Sequence, residues 1–335
     1  MKPIRLPQLL LLSLYQCCTL STIYLASNIT IFAHNFLRMQ LLAFVLIYPF
    51  MWVISILPHR LFYGFSDIAF FFVYHVFGYR REVVQNNLNL VFPDKPKEEI
   101  NRIEKEFYKH LCDTFLEMVK TMNLSKKAVA KKYRVVNPEV LLEIEKEKSI
   151  IILCAHYANW EWNVSINNYV NSKGYAVYQQ VNNSYFDKFI RKTRARWNTT
   201  LITQGQTAKT VIQNFRNNVR ATYGMVSDQS PQAHRAHYWT NFMGIKVPIF
   251  NGGEALARKT GLATVFLKVS KVKRGHYKAE LIPIALNGKE TEEHEITNTF
   301  LRLTEEQIRE KPEYYLWTHK RWKHRDKKPA AFAKT

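Results

Sequence analysis

The chain has 335 residues, 47% hydrophobic and 22% charged, a composition typical of a folded protein with a sizeable core and not of a disordered one. Its formal net charge of +21 indicates an anionic partner, either nucleic acid or a membrane surface. No zinc-ligand spacing, RNP-type signature or basic zipper is present, so we expect no nucleic-acid partner and favour an anionic lipid surface.

Apolar segments dominate the N-terminal part of the chain. Met39–Pro58 carries no charge, and a helix of that length would span ~30 Å of hydrocarbon; a buried core helix is the alternative. Phe65–Phe77 is too short to span easily and is predicted to lie at the membrane interface or beneath the following domain. Leu6–Ala33 is apolar but interrupted by polar residues. It fits a second span, a signal-like segment or an extension upstream of a start at Met39.

The four cysteines indicate unpaired thiols of a reducing compartment. Cys17 and Cys18 are adjacent in the apolar leader, and Cys112 and Cys154 share no spacing with them or with a nearby histidine pair. This is neither a disulfide framework nor a zinc site. The histidines are not spaced as ligands either, so we expect no metal and no cofactor.

From Arg80 onward the pattern is that of an α/β domain. Residues 97–123 repeat apolar positions at three- and four-residue steps, as in an amphipathic helix, and the apolar run 150–154 is typical of a buried parallel strand. Further predicted elements are a helix from Trp160, strands at Tyr175–Gln180, Thr222–Val226, Ala263–Val269 and Tyr277–Leu286, and helices at Asp187–Trp197, Thr207–Asn217, Gly253–Thr260 and Thr291–Lys311.

Strands that alternate with helices predict a mostly parallel sheet flanked by helices. We therefore divide the chain into an apolar extension, a membrane-anchoring or interfacial segment, an α/β domain and a basic tail. Their bounds are 1–38, 39–79, 80–325 and 326–335.

One short segment, CAHYANWEW at 154–162, carries the strongest chemical signal. His156 follows the predicted strand, at the sheet edge where α/β proteins place ligands. Glu161 is five residues further, about 140° away on one continuous helix, so the two meet only if His156 lies in the turn and Glu161 in the first turn of the next helix. There a carboxylate would accept a hydrogen bond from one imidazole nitrogen and make the other a general base. Helix capping by Asn159 and a core histidine are the alternatives.

Four ordered blocks give the chain a resemblance to a known family. They are the His156–Glu161 motif after an apolar strand, RARWN at 194–198, SDQS at 227–230 and PEYYLWTHKRWK at 312–323. In this order they resemble the lipid A late acyltransferases (lauroyl and myristoyl transferases) of the lysophospholipid acyltransferase superfamily. The resemblance extends over residues 80–323, and Ser230 stands where many relatives carry a second acidic residue.

The resemblance implies a glycerol-3-phosphate acyltransferase-like fold and a mechanism of O-acyl transfer. His156 would deprotonate an acceptor hydroxyl, and Glu161 would orient and support the imidazolium. Arg194 and Arg196 would hold anionic groups through bidentate contacts, with a solvated basic face as the alternative. Asp228, after a strand, would position the second arginine or a sugar hydroxyl, or would serve a structural turn.

The resemblance also implies partners and a location. Acyl carrier protein, or else acyl-coenzyme A, would be the donor and a lipid A precursor the acceptor, at the bacterial inner membrane with the catalytic domain facing the cytoplasm. The same chemistry on a lysophospholipid, an aminolipid or another glycolipid is the nearest alternative. A non-catalytic membrane-binding protein would have no need of the His156–Glu161 pair.

Overall fold

The computed structural model describes residues 38–232, 236 and 238–327. The chain divides into two compact units: a smaller one, Met1–Met51 with Val181–Phe189, and a larger one, Trp52–Gln180 with Ile190–Thr335. The apolar stretch Leu6–Ala33, with Cys17 and Cys18, and the tail beyond residue 327 lie outside the described residues.

In the smaller unit, one polar side chain and a set of aromatic rings join the start of helix α1 (Arg38–Ile56) to residues 182–189. The Gln40 side chain donates a hydrogen bond to the carbonyl of Asn182 (3.2 Å) and accepts one from the amide of Ser184 (3.1 Å). The rings of Phe44 and Phe186 pack edge to face with their centres 5.2 Å apart. This unit is therefore held by aromatic packing around a satisfied polar group.

Seven strands of the larger unit form one sheet in the order β1-β9-β8-β2-β5-β3-β4, and two more form a separate antiparallel pair. Every neighbouring pair in the large sheet is parallel except β8–β9. The strands are β1 (Tyr133–Val135), β2 (Ile150–Cys154), β3 (Lys173–Tyr178), β4 (Thr199–Thr203), β5 (Ala221–Val226), β6 (Tyr238–Phe242), β7 (Ile245–Ile249), β8 (Ala263–Lys273) and β9 (His276–Ala285).

The helices lie mostly between these strands in the sequence. They are α2 (His59–Phe70), continued by a π-helical segment (Phe71–Val76), α3 (Arg81–Val91), α4 (Lys97–Lys120), α5 (Lys126–Lys132), α6 (Glu139–Glu145), a 3-10 helix (Trp160–Asn168), α7 (Ser184–Ala195), α8 (Gln204–Arg216), α9 (Gly252–Thr260) and α10 (Glu295–Glu310). Short 3-10 turns are present at Gly288–Glu290 and Pro312–Tyr314.

Helices cover both faces of the sheet. A Cβ atom at Gly253 of α9 would lie 3.0 Å from Leu153 and 3.6 Å from Met225, so α9 packs on the face formed by the odd-numbered residues of β2 and β5. The 3-10 helix packs on the opposite face, where its Ile166 lines a cavity together with Ile152. All five residues of β2 are buried, as expected for the central strand of a parallel sheet.

The predicted fold class is confirmed, although individual elements differ. The apolar run at 150–154 is β2, and the two strands predicted from residues 263 and 277 are the antiparallel pair β8–β9. The helix expected from Trp160 is a 3-10 helix, in a segment rich in Trp, Asn and β-branched residues of modest helix propensity. Strands β1, β4, β6 and β7 have no counterpart among the predicted elements, since their short sequences mix polar and apolar residues without a long apolar run.

Helix α1 is the one helix among residues 38–232 and 238–327 that is long and apolar enough to cross a membrane by itself. Only 11% of the apolar stretch of α1 is buried within the protein, which argues against the alternative of a core helix. His59–Val76 and Arg81–Val91 are together also long and apolar enough for one broken span, with a bend of 84° between them. By length and composition, these segments are consistent with membrane association.

Candidate active site

The ring of His156 is held by Asp228. The two residues follow the neighbouring parallel strands β2 and β5, whose last residues, Cys154 and Val226, are paired in register. One carboxylate oxygen of Asp228 lies 2.8 Å from Nδ1 of His156 and accepts a hydrogen bond from the His156 backbone amide at 3.1 Å. Because both strands end at the same edge of the sheet, the fold brings these two side chains together.

The environment of Asp228 favours a carboxylate and not a carboxylic acid. Its side chain is only 1% exposed. Burial acts to raise the pKa of Asp228, but the charge of His156 and the hydrogen bonds from its ring and backbone outweigh burial and lower the pKa below the ordinary value. The ionised oxygen accepts a hydrogen bond from the Nδ1–H group, so the neutral imidazole carries its lone pair on Nε2.

The other ring nitrogen of His156 faces Gln229, the residue after Asp228. The Gln229 side-chain nitrogen lies 3.2 Å from Nε2 of His156 and is in position to donate to its lone pair. Trp160 packs edge to face against the imidazole, with ring centres 5.7 Å apart. The side chain of His156 remains 19% exposed, and it lines a cavity, so a substrate can reach it.

Glu161 forms an ion pair with Arg194. Their side chains are 15% and 22% exposed, and the guanidinium lies 2.5 Å from a carboxylate oxygen. The hydrogen bond expected between Glu161 and a His156 ring nitrogen is not the arrangement found, because Asp228 and Gln229 occupy those positions. Glu161 does lie in the first turn of the 3-10 helix and lines the same cavity as His156, as the spacing required.

Arg196 is directed away from this ion pair. Its guanidinium donates hydrogen bonds to the backbone carbonyls of Thr121, Met122 and Leu124, just beyond the end of α4. These carbonyls follow the last helical turn, where the negative end of the helix dipole favours a cation. Arg196 thus provides hydrogen-bond donors for backbone carbonyls at the end of α4. Of the two predicted arginines, only Arg194 lines the cavity.

A cavity of about 290 Å³ connects these groups. Its polar residues include His156, Glu161, Arg194, Gln204 and Gln229, which are joined by Asn163, Asn167, Gln179 and Tyr178. The rest of the lining is mostly apolar and comes from the sheet and the 3-10 helix: Ile152, Val164, Ile166, Ala176, Val177, Gly224, Val226 and Leu267. A cavity that combines polar side chains with apolar residues of the sheet suits a molecule with a polar end and a hydrocarbon chain.

The C-terminal block 312–323 supports the loop that carries His156. The backbone amide of Leu316 donates to the carbonyl of His156 (3.1 Å), and that of Ala158 donates to the carbonyl of Tyr314 (2.9 Å). Burial and the negative charge of Asp228 raise the pKa of the Tyr315 phenol well above its ordinary value. This block therefore supports the loop that carries His156 through backbone hydrogen bonds and places Tyr315 near Asp228.

Two basic residues of the same block are largely buried. Arg321 is 1% exposed and donates to the carbonyl of Pro248 (3.2 Å), and burial lowers its pKa. Burial also lowers the pKa of His319 to about 4, against an opposing influence from the charge of Asp228.

Two of the four cysteines, Cys112 and Cys154, lie in the described residues; both are buried and free, without a disulfide.

A second buried carboxylate positions the segment that carries Glu161. Glu117 of α4 accepts hydrogen bonds from Asn159 (2.7 Å), Tyr277 (2.8 Å) and Tyr63 (2.8 Å). Asn159 in turn accepts from the backbone amide of Trp162 at 3.0 Å and so caps the 3-10 helix, the capping role considered for it from the sequence.

Sequence reasoning did not identify Gln229, Tyr315 or Glu117 as part of this arrangement. The position of Gln229 directly after Asp228 could have indicated it, because both residues follow the same strand and therefore lie at the same edge of the sheet. Nothing local marks Glu117, which lies 42 residues before Asn159.

Comparison with known proteins identifies the family. A family model described as bacterial lipid A biosynthesis acyltransferase matches residues 29–324. No curated protein matches the chain. The matched range contains helix α1, the complete sheet and every residue of the candidate site described above. The chain therefore belongs to the bacterial lipid A biosynthesis acyltransferase family and is an acyltransferase.

Proposed function

We propose that this chain transfers a fatty acyl group from an acyl thioester to a hydroxyl of a lipid A precursor, with His156 as the general base. The observation that carries the proposal is the orientation of His156. Nδ1 is held by a buried carboxylate, and Nε2 faces Gln229, which with His156 lines a cavity that also has many apolar residues. The family match supports an acyl donor and a lipid acceptor in general terms.

In the proposed reaction, Nε2 of His156 removes the proton of the acceptor hydroxyl as its oxygen attacks the thioester carbonyl. A C–O bond forms, and the carbonyl oxygen becomes an oxyanion. When the tetrahedral intermediate collapses, the C–S bond breaks and the imidazolium returns its proton to the leaving thiolate. Asp228 holds the ring and stabilises the imidazolium throughout, a contribution that belongs to general-base catalysis worth roughly 10²–10⁴-fold.

For the reaction to begin, the acceptor hydroxyl must reach Nε2, the nitrogen that Gln229 contacts in the free protein. An imidazole nitrogen has a single lone pair, so the amide of Gln229 and the acceptor hydroxyl compete for it. We propose that the Gln229 amide moves aside when the acceptor binds.

Glu161 and Arg194 contribute charge at the same cavity. The negative charge of Glu161 favours formation of the imidazolium, and its ion pair fixes the position of Arg194. Arg194 would bind an anionic group, either a phosphate of the acceptor or the phosphopantetheine of a carrier, through its planar guanidinium. We assign this role to Arg194 alone, because the guanidinium of Arg196 is already bonded to backbone carbonyls.

We further propose acyl carrier protein as the donor and the bacterial inner membrane as the location, with the catalytic domain on the cytoplasmic side, where acyl carriers are found. A net charge of +21 supports attraction to anionic lipid, and helix α1 supplies an apolar anchor.

The decisive test combines mass spectrometry of lipid A with an assay of the purified protein. A strain without the gene should lack one acyl chain of lipid A, wild type should restore it, and His156→Ala should not restore it while remaining folded and membrane-bound. An unchanged lipid A together with an altered phospholipid or aminolipid would instead identify a different acceptor. Near-normal turnover by purified His156→Ala would contradict the mechanism.

A further inference from the structure

The apolar part of the cavity lies over three adjacent strands of the sheet. Gly224 of β5 is paired in register with Ile152 of β2 on one side and with Ala176 of β3 on the other, and all three line the cavity. This row is four residues before His156 along β2 and four before Asp228 along β5. At ~3.3 Å per residue, it lies roughly 13 Å from the catalytic end of the cavity.

The cavity closes just beyond this row. The next position along β3 on the same face is Gly174, where a Cβ atom would lie 2.5 Å from Cγ of Asn167. Asn167 belongs to the 3-10 helix, lines the cavity and donates a hydrogen bond to the Thr199 hydroxyl at 2.7 Å. Asn167 therefore packs directly on the sheet, and the row at Gly224 marks the far end of the open space.

Neither backbone conformation nor close packing requires a glycine at position 224. Its φ is not in the left-handed region that favours glycine. A Cβ atom there would have one neighbour within 4 Å, the carbonyl oxygen of Tyr175 at the ordinary van der Waals distance of 3.7 Å. A glycine inside a strand weakens the strand and often marks a place where a ligand approaches the backbone.

We propose that Gly224 sets the length of the acyl chain that this enzyme transfers. The missing side chain, beside the small Ala176, leaves open the last part of an apolar channel, and the methyl end of the acyl chain lies there. This inference rests on the proposed function, because it assigns the apolar end of the cavity to the acyl donor. A side chain at position 224 occupies that space and shortens the longest chain that fits.

The test is a competition among donors. The purified full-length protein receives a lipid A precursor and an equimolar mixture of acyl carrier protein thioesters that carry saturated chains of increasing length, and mass spectrometry measures each product. Gly224→Ala should lower the use of the longest chain relative to a shorter one by about 10-fold or more, since a methylene in an apolar pocket is worth at least that factor. Gly224→Val should shift the preference further toward short chains.

Three further variants isolate the effect. Ile152→Val removes a methyl group from the same row, so the double variant Ile152→Val/Gly224→Ala should regain part of the use of longer chains. Met225→Leu changes the neighbouring position, which faces α9 and not the cavity, and Gly205→Ala adds a methyl group at an open site on α8; both should keep the wild-type profile.

The results distinguish a failure of the role assigned to Gly224 from a failure of the proposed acyl transfer. An active Gly224→Ala protein with the wild-type chain-length profile, or one with equal losses for all chains, would overturn the role of Gly224 and leave acyl transfer intact. If wild type transfers no acyl group from any thioester in the series, the proposed function fails and this inference fails with it.

Discussion

Asp228 and His156 are 72 positions apart in the sequence, yet one carboxylate oxygen of Asp228 contacts both Nδ1 and the backbone amide of His156, at 2.8 and 3.1 Å. The same oxygen thus fixes the ring and the loop that carries it. The contact exists because β2 and β5 are neighbours in the sheet and end at the same edge.

Asp228→Asn should lower kcat by roughly 10²–10⁴-fold and change the acceptor KM little. The amide keeps the shape of the carboxylate, but it no longer stabilises the imidazolium and favours the wrong tautomer. Steady-state kinetics of the purified variant would measure this effect.

Glu145→Gln provides a matched control for that variant. Glu145 is also a buried carboxylate that accepts backbone hydrogen bonds, from Asn171 (3.0 Å) and Ser172 (2.9 Å), but it does not line the cavity. This variant should lose stability and keep its kcat. Equal loss of kcat in both variants would make Asp228 a structural residue.

The sequence alone predicted the class of fold and the position of His156 at the edge of the sheet, but the carboxylate that it paired with the imidazole is not the one that contacts it. Local spacing made Glu161 the nearest candidate, five residues away. The partner found, Asp228, depends on which strands are neighbours, and strand order is not encoded in any short segment. Arg194 and Arg196 show the same limit. They lie two residues apart in one motif, yet Arg194 forms an ion pair with Glu161, whereas Arg196 donates to backbone carbonyls after α4.

Glu161→Gln should lower kcat more than it changes the acceptor KM, because the carboxylate contributes mainly as protons move, and Glu161→Asp should retain more activity than Gln. Since Glu161 and Arg194 form an ion pair at 2.5 Å, their effects should not add. A cycle of Glu161→Gln, Arg194→Gln and the double variant should show a coupling energy of about 0.5–3 kcal/mol. Additive effects on kcat, or a Gln variant as active as wild type, would remove the pair from the mechanism.

Arg194→Lys and Arg196→Lys should behave differently although both keep the charge. Lys lacks the planar fork of Arg, so Arg194→Lys should raise the apparent KM for a phosphorylated acceptor more than for a dephosphorylated one. Arg196→Lys loses contacts with the carbonyls after α4 and should lower thermal stability without that selectivity. The same KM ratio in both variants would show that Arg194 does not bind the phosphate.

Deletion of residues 1–38 should leave membrane association and activity largely unchanged, whereas deletion through Pro58 should weaken attachment. The reason is that α1, Arg38–Ile56, is long and apolar enough to span a membrane. Fractionation of cells that express each truncated protein would measure attachment. Release of the 39–335 protein into the soluble fraction would show that the first segment is the real anchor.

The stability of the fold should depend on pH through His319. Burial lowers the pKa of this histidine from the ordinary 6.5 to about 4, and the nearby charges of His156, Arg321 and Lys323 act in the same direction, while Asp228 opposes them. Between those two pKa values the unfolded chain binds a proton at His319 that the folded protein does not bind, so acidification favours unfolding. The contribution of His319 to stability is complete above its pKa in the unfolded chain and is lost as the pH falls toward its pKa in the folded protein.

His319→Gln cannot titrate, so its thermal midpoint should fall less than that of wild type between about pH 7 and about pH 5. Parallel midpoints for the two proteins across this range would show that His319 binds its proton equally well when folded.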